Sequence, residues 1–118
     1  MKHENLRTRT KDFALKVIAF SESLIVDETS RILRRQLIRS GTSVGANYRA
    51  ACRAKSKSDF VSKMGIVLEE ADESAFWIEL SIDSSKAKAD RAASLLREAN
   101  EIVAICIASI NTARASQK

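Results

Sequence analysis

Apolar positions recur along this chain at intervals of three and four residues, and strand-like alternation over six or more residues is hard to find. That spacing is the signature of helices with one buried face. Four such stretches follow one another. The first runs from about Arg7 to Leu24, its stripe being Leu6, Phe13, Val17, Phe20 and Leu24. The second runs from about Glu28 to Ala54 and carries Leu33, Leu37, Val44, Tyr48 and Ala51. The third follows the segment SKSDF and carries Phe60, Met64, Val67, Ala71, Ala75, Ile78 and Ile82. Ser56 or Ser58 is placed to cap it, with Asp59 near the positive end of its dipole. The fourth, from about Lys88 to Arg114, uses Leu95, Leu96, Ala99, Ile102, Val103, Cys106 and Ile110. The joins, Ile25–Asp27, Lys55–Ser58 and Ser84–Ala87, are short and polar, which forces successive helices to pack antiparallel. The pattern therefore predicts an all-α protein, an antiparallel up-down-up-down four-helix bundle, with residues 1–118 as one domain.

Composition sharpens this picture at a few positions. The chain has no proline and only three glycines, so it lacks the commonest helix breaker. Two of the glycines, Gly41 and Gly45, fall inside the second stretch, in SGTSVGAN. Each costs a helix about 1 kcal/mol relative to alanine, so their presence needs a reason. Close approach of a neighbouring helix, with Gly41, Gly45 and Ala46 as small contacts, is the first reading, and a kink is the second. A phosphate-cradling loop does not fit, since no strand precedes and GxxxxGK[ST] is missing. Cys52 and Cys106 lie within helical patterns with no CxxC partner and read as reduced core thiols. The N-terminal segment has no apolar signal region, and no apolar run approaches the roughly 20 residues of a membrane span. A cytoplasmic location is expected.

Charge changes the picture more than any motif does. Residues 31–57 carry eight basic side chains and no acidic one, while residues 59–83 carry seven acidic and one basic. At 100° per residue, Arg31, Arg35, Arg39, Arg49, Arg53 and Lys57 fall within a sector about 80° wide, opposite the apolar stripe. Six cations in a line can follow the phosphates of RNA or DNA. The plainer reading is a solvated face, or one neutralised by acids of a neighbouring helix or subunit. No aromatic residue interleaves the stripe, so base stacking is not indicated.

The acidic cluster, Glu69, Glu70, Asp72, Glu73, Glu79 and Asp83, reads as surface facing a basic partner, the second helix of a neighbouring copy being one candidate. Bundle metal sites use ExxH motifs, and the single histidine, His3, belongs to none, so no metal or cofactor is expected. The serines have no His/Asp set to activate them. The expectation is a protein that is not an enzyme and has no small-molecule substrate. The third helix also has a second apolar strip, Ile66, Phe76, Trp77 and Leu80, pointing away from the first. A helix apolar on two sides has two partners, and aromatic residues on an outer face are favoured interface anchors. A homo-oligomer built through these four residues is expected.

One family shares much of this sequence. Gln36, Leu37, Arg39, Ser40, Ser43, Gly45, Ala46, Asn47, Ser56, Asp59, Phe60, Lys63, Glu69, Glu70, Ala71, Glu73, Trp77 and Leu80 carry the likeness over residues 36–80, and LRTRTKDFALKVIAF extends it more weakly. The chain resembles the four-helix bundle proteins first noticed as reading frames inside intervening sequences of bacterial 23S ribosomal RNA genes. The resemblance implies an up-down-up-down bundle, commonly a ring of five subunits, and no established enzyme activity. Some members have Glu where this chain has Arg49 or Ala50, which puts a shared ligand there in doubt and adds to the basic face. More distant likenesses, the accessory proteins of diversity-generating retroelements, look like basic pentameric barrels that engage a reverse transcriptase and nucleic acid. Two functions remain open at this point. One is an assembly module binding nucleic acid through the second helix. The other is a protein-interaction scaffold forming a homo-oligomeric ring without nucleic acid.

Overall fold

The computed structural model describes residues 2–116, with side chains from Leu6 onward. Its four helices are α1 (Lys2–Glu22), α2 (Glu28–Cys52), α3 (Lys57–Asp83) and α4 (Ala89–Ala115). A 27-residue helix is about 40 Å long, and the molecule is a rod of 51 × 21 × 20 Å. Each helix packs on the next in sequence, and α1 and α4 meet more sparsely to close the ring. This is the up-down four-helix bundle that the spacing predicts.

The ends of the helices are set by identifiable groups. Asp27 caps α2, its carboxylate accepting the Ser30 N–H at 2.8 Å. Ser56 caps α3, its Oγ accepting the Asp59 N–H at 3.0 Å, and Asp59 in turn accepts the Lys55 N–H at 3.1 Å. α3 stops in a Schellman turn. The Lys86 N–H reaches the Ser81 carbonyl and the Ser85 N–H reaches that of Ile82, both at 2.9 Å. Ser85 there adopts a left-handed φ of 64°. Asp27 also accepts Lys86 Nζ at 2.7 Å, and the Ile25 N–H reaches the Lys86 carbonyl at 3.2 Å. The α1–α2 and α3–α4 turns are thereby tied together at one end of the rod.

The stripe residues of all four helices form one core, with Phe13, Val17, Leu37, Val44, Met64, Val67, Ile78 and Ile102 fully buried. Phe60, Ile82, Leu96 and Val103 pack at its edge. Cys106 is in the core as expected, but Cys52 is exposed. It ends α2, one residue past the buried Ala51 and therefore turned about 100° away from the buried stripe.

Between α2 and α3 the seam is partly polar. Ser74 Oγ donates to Ser40 Oγ at 3.0 Å within the core, fixing which turns of the two helices face each other. α2 runs unbroken through both its glycines. A Cβ at Gly41 would stand 2.6 and 2.8 Å from the two Val17 methyls, and one at Gly45 would stand 3.3 Å from Thr10 Oγ1. Of the two readings of these glycines, close approach is the one realised, and α1 is the helix that approaches.

Candidate nucleic-acid interface

The close approach at Gly41 and Gly45 decides where the cations go. Thr10 is buried against Gly45, its Oγ hydrogen-bonded back to the Arg7 carbonyl at 3.2 Å. Arg7 and Lys11, flanking Thr10 on α1, are thereby brought alongside Arg49 and Arg53, which follow Gly45 on α2. A groove of about 380 Å³ lies between them, lined by these four cations with Thr10, Ala14, Thr42, Gly45 and Ala46. Among the described residues none of those lining it is acidic. None of the four cations forms a salt bridge among the described residues. Arg49 sits in the last turn of α2 and Arg53 is its C-cap, where a cation also opposes the helix dipole.

The six-residue basic stripe divides once its partners are seen. Arg39 reaches across to α3, pairing with Glu70 at 3.4 Å and with Glu73. Part of the acidic cluster therefore serves the second helix of its own chain. Arg31 is paired with Glu28 one turn back. Arg35 is exposed and without an ion pair among the described residues, but it lies 14 residues from Arg49, about 21 Å along the helix. Lys57 is not on α2 at all. The chain breaks helix at Arg53 and restarts under the Ser56 cap, so Lys57 opens α3 and donates to the Ser116 carbonyl and hydroxyl, both at 2.8 Å. Of the expected stripe, the structure brings only Arg49 and Arg53 together with unpaired cations. Arg7 and Lys11 complete the group and are not visible in a projection of one helix. Their signal is the pairing of an i, i+4 basic pair on α1 with the small residues opposite. Arg9, between them in sequence, points to the other side and binds Glu98 and Glu101 of α4, at 2.6 and 2.9 Å.

A second cavity, about 650 Å³, adjoins the groove and shares Arg7 with it. It lies at the α2–α3 turn and is lined further by Ala51, Cys52, Ala54, Lys55, Ser56, Lys57 and Phe60.

The outer strip of α3 is also present. Phe76 is 52%, Ile66 44% and Leu80 37% exposed. Trp77 differs from the expectation. It sits on the α2 flank of the strip, partly buried against the core, with its indole N–H donating to Glu73 at 2.9 Å and its ring edge-on to Phe76 at 5.0 Å. Among the described residues no three His, Cys, Asp or Glu side chains are grouped as a metal site needs, and no helix is long and apolar enough to cross a membrane. His3 lies outside the described side chains.

Fold and groove together define a four-helix bundle with a cation-lined cleft between its first two helices. A crystal structure at 1.70 Å resolution of a protein with unknown function from the S23 ribosomal protein family, from Bacteroides thetaiotaomicron VPI-5482, has the same fold. It matches with a TM-score of 0.86 and 32% identity, over 94% of this chain and 99% of that one. The chain belongs to the 23S rRNA-intervening sequence protein family, whose model matches residues 4–108. No curated protein matches it by sequence.

Proposed function

We propose that this protein is a non-catalytic assembly module that holds the phosphate backbone of a nucleic acid, RNA or DNA, in the α1–α2 groove. The observation that carries the reading is the convergence of Arg7, Lys11, Arg49 and Arg53, from two helices, on one groove with no acid among the described residues that line it. Three cations that neighbour them in sequence or share the α2 stripe are answered by acids instead: Arg9 by two glutamates, Arg31 by Glu28, Arg39 by two more. Like charges brought together without counter-charge raise the local potential and favour a polyanion. Arg7 and Lys11 one turn apart on α1, with Arg49 and Arg53 one turn apart at the end of α2, offer forked and point donors to successive phosphates.

The test is a salt titration of RNA binding. Four phosphate contacts to a single strand give a slope of log K against log salt of about −3. Absence of binding even at low salt removes the proposal.

A second reading, assembly into a homo-oligomer, is favoured by the exposed Phe76, Ile66 and Leu80 on α3. Large apolar side chains exposed on a helix that already buries its other side are candidates for an interaction surface. Phe76→Glu then gives monomers in sedimentation, whereas a wild-type protein that is monomeric at micromolar concentration excludes this reading.

A further inference from the structure

At Phe60 the basic groove gains an apolar neighbour. This half-buried residue lines the 650 Å³ cavity at the α2–α3 turn, with Ala51, Cys52 and Ala54 as its other apolar walls. Arg7 lines that cavity and the α1–α2 groove alike, so the two spaces share one side chain. Lys55 and Lys57 add positive charge to the cavity. The carboxylate closest in sequence, Asp59, is already engaged, accepting the Lys55 N–H at 3.1 Å and Lys63 Nζ at 2.7 Å.

We propose that this cavity accepts one unpaired base of a single-stranded nucleic acid whose adjoining phosphates lie on Arg7, Lys11, Arg49 and Arg53. The inference rests on the groove reading above and specifies the form of the ligand. Three features support it. The space is an open depression whose volume is large enough for a base and its sugar. The lining joins an aromatic residue and small apolar side chains to cations, the combination on which bases stack while their phosphates are held. The cation pairs Arg7/Lys11 and Arg49/Arg53 each span about 6 Å of helix rise, the scale of one nucleotide step. A duplex keeps its base faces stacked inside, so it can use the groove but not the cavity. The site therefore discriminates strand state rather than sequence.

The experiment measures fluorescence anisotropy of the full-length protein with a labelled mixed-sequence 12-nucleotide RNA, its DNA counterpart and a hairpin duplex of the same sequence. The expected result is that at least one of the single strands binds about tenfold more tightly than the duplex. Phe60→Leu, which keeps an apolar side chain but removes the aromatic face, erases that preference. It leaves duplex affinity and the salt slope unchanged. Phe60→Trp retains the preference, and thermal melting of both variants confirms that they fold. Equal affinity for single and double strands, or a preference untouched by Phe60→Leu, overturns this inference while the salt-dependent groove binding stands. Loss of all binding at low salt in the wild-type protein overturns the groove reading itself, and this inference with it.

Discussion

Arg39 of α2 is neutralised by Glu73 of α3, and Glu73 also accepts the indole N–H of Trp77 at 2.9 Å. Arg49, ten residues further along the same helix and on the same basic stripe, has no acidic counterpart among the described residues. One stripe of arginines thus does two jobs. Its middle joins α2 to α3 beside the buried Ser40–Ser74 hydrogen bond, and its C-terminal end contributes to the groove that α1 completes. Because Arg39 and Glu73 are both partly exposed, their pair adds little to stability, and its value is in fixing register and consuming charge that would otherwise be free.

The glycines separate by environment. Gly41→Ala places a methyl group within 2.8 Å of both Val17 methyls, on a side chain that is itself fully buried and stiff at χ1. It is expected to destabilise by about 1–3 kcal/mol, the range for overpacking a core. At Gly65 on α3 an added Cβ would meet nothing within 4 Å, so Gly65→Ala is expected to stabilise by about 1 kcal/mol through helix propensity alone. Urea denaturation of the two variants, read against the wild-type midpoint, checks both signs at once.

Ser85 holds the left-handed position of the α3 Schellman turn, a place where a side chain is disfavoured and glycine is at ease. Ser85→Gly is expected to stabilise the protein by about 1 kcal/mol, the cost of left-handed backbone for an L-residue. The corresponding rise in melting temperature is the readout, and Ser85→Val, β-branched at the same φ, is expected to lower it.

The two thiols should react in sequence. Cys52 is exposed, whereas Cys106 is fully buried and its pKa is pushed up to about 11 by that burial. A thiol-specific chromogenic reagent at neutral pH is expected to titrate one thiol in the folded protein and two in denaturant. Cys52→Ser removes the early phase and Cys106→Ser the late one.

Acid should loosen the end of the rod where the two turns are tied. Lys86, followed by the Ser30 N–H, holds the Asp27 carboxyl down at about 2. Its charged form is favoured by folding, so the stabilisation is complete above the ordinary carboxylate range near pH 4 and is lost as the pH falls toward 2. Asp27→Asn keeps the helix cap but not the charge. The melting temperatures of wild type and Asp27→Asn are expected to differ above pH 4 and to converge as the pH falls through 2.

The helices and their buried faces were legible in the sequence because a 3.6-residue period needs no partner to be read. Leu33, Leu37, Val44 and Tyr48 announce their face whether or not α3 is known. The joins were less so. Basic residues continue in phase across the turn, so Lys57 projects onto the same sector as Arg53 although the helix ends between them. Ser56 is the clue: a capping serine starts a helix, and a helix that starts at Lys57 cannot also be the one that ends there. The groove was half legible. Arg49 and Arg53 stand out on α2, but Arg7 and Lys11 gain meaning only when Gly45 lets α1 come close, which is a property of two helices together. Phe60 escaped for the same reason. It is four residues beyond the Ser56 cap on another helix, and only the fold sets it beside Arg7.

If the α1–α2 groove is a binding site, the placement of its cations matters and the total charge of the protein does not. Two double charge reversals that change net charge equally separate these possibilities. Arg7→Glu with Arg49→Glu strikes the groove, and Arg31→Glu with Arg35→Glu strikes the far end of α2. Affinity for a single-stranded RNA at low salt is then compared with that of the wild-type protein. The groove pair is expected to lose about tenfold more affinity than the control pair, with both variants folded by circular dichroism. Equal losses from the two pairs, or no loss from the groove pair, contradict a site in the groove.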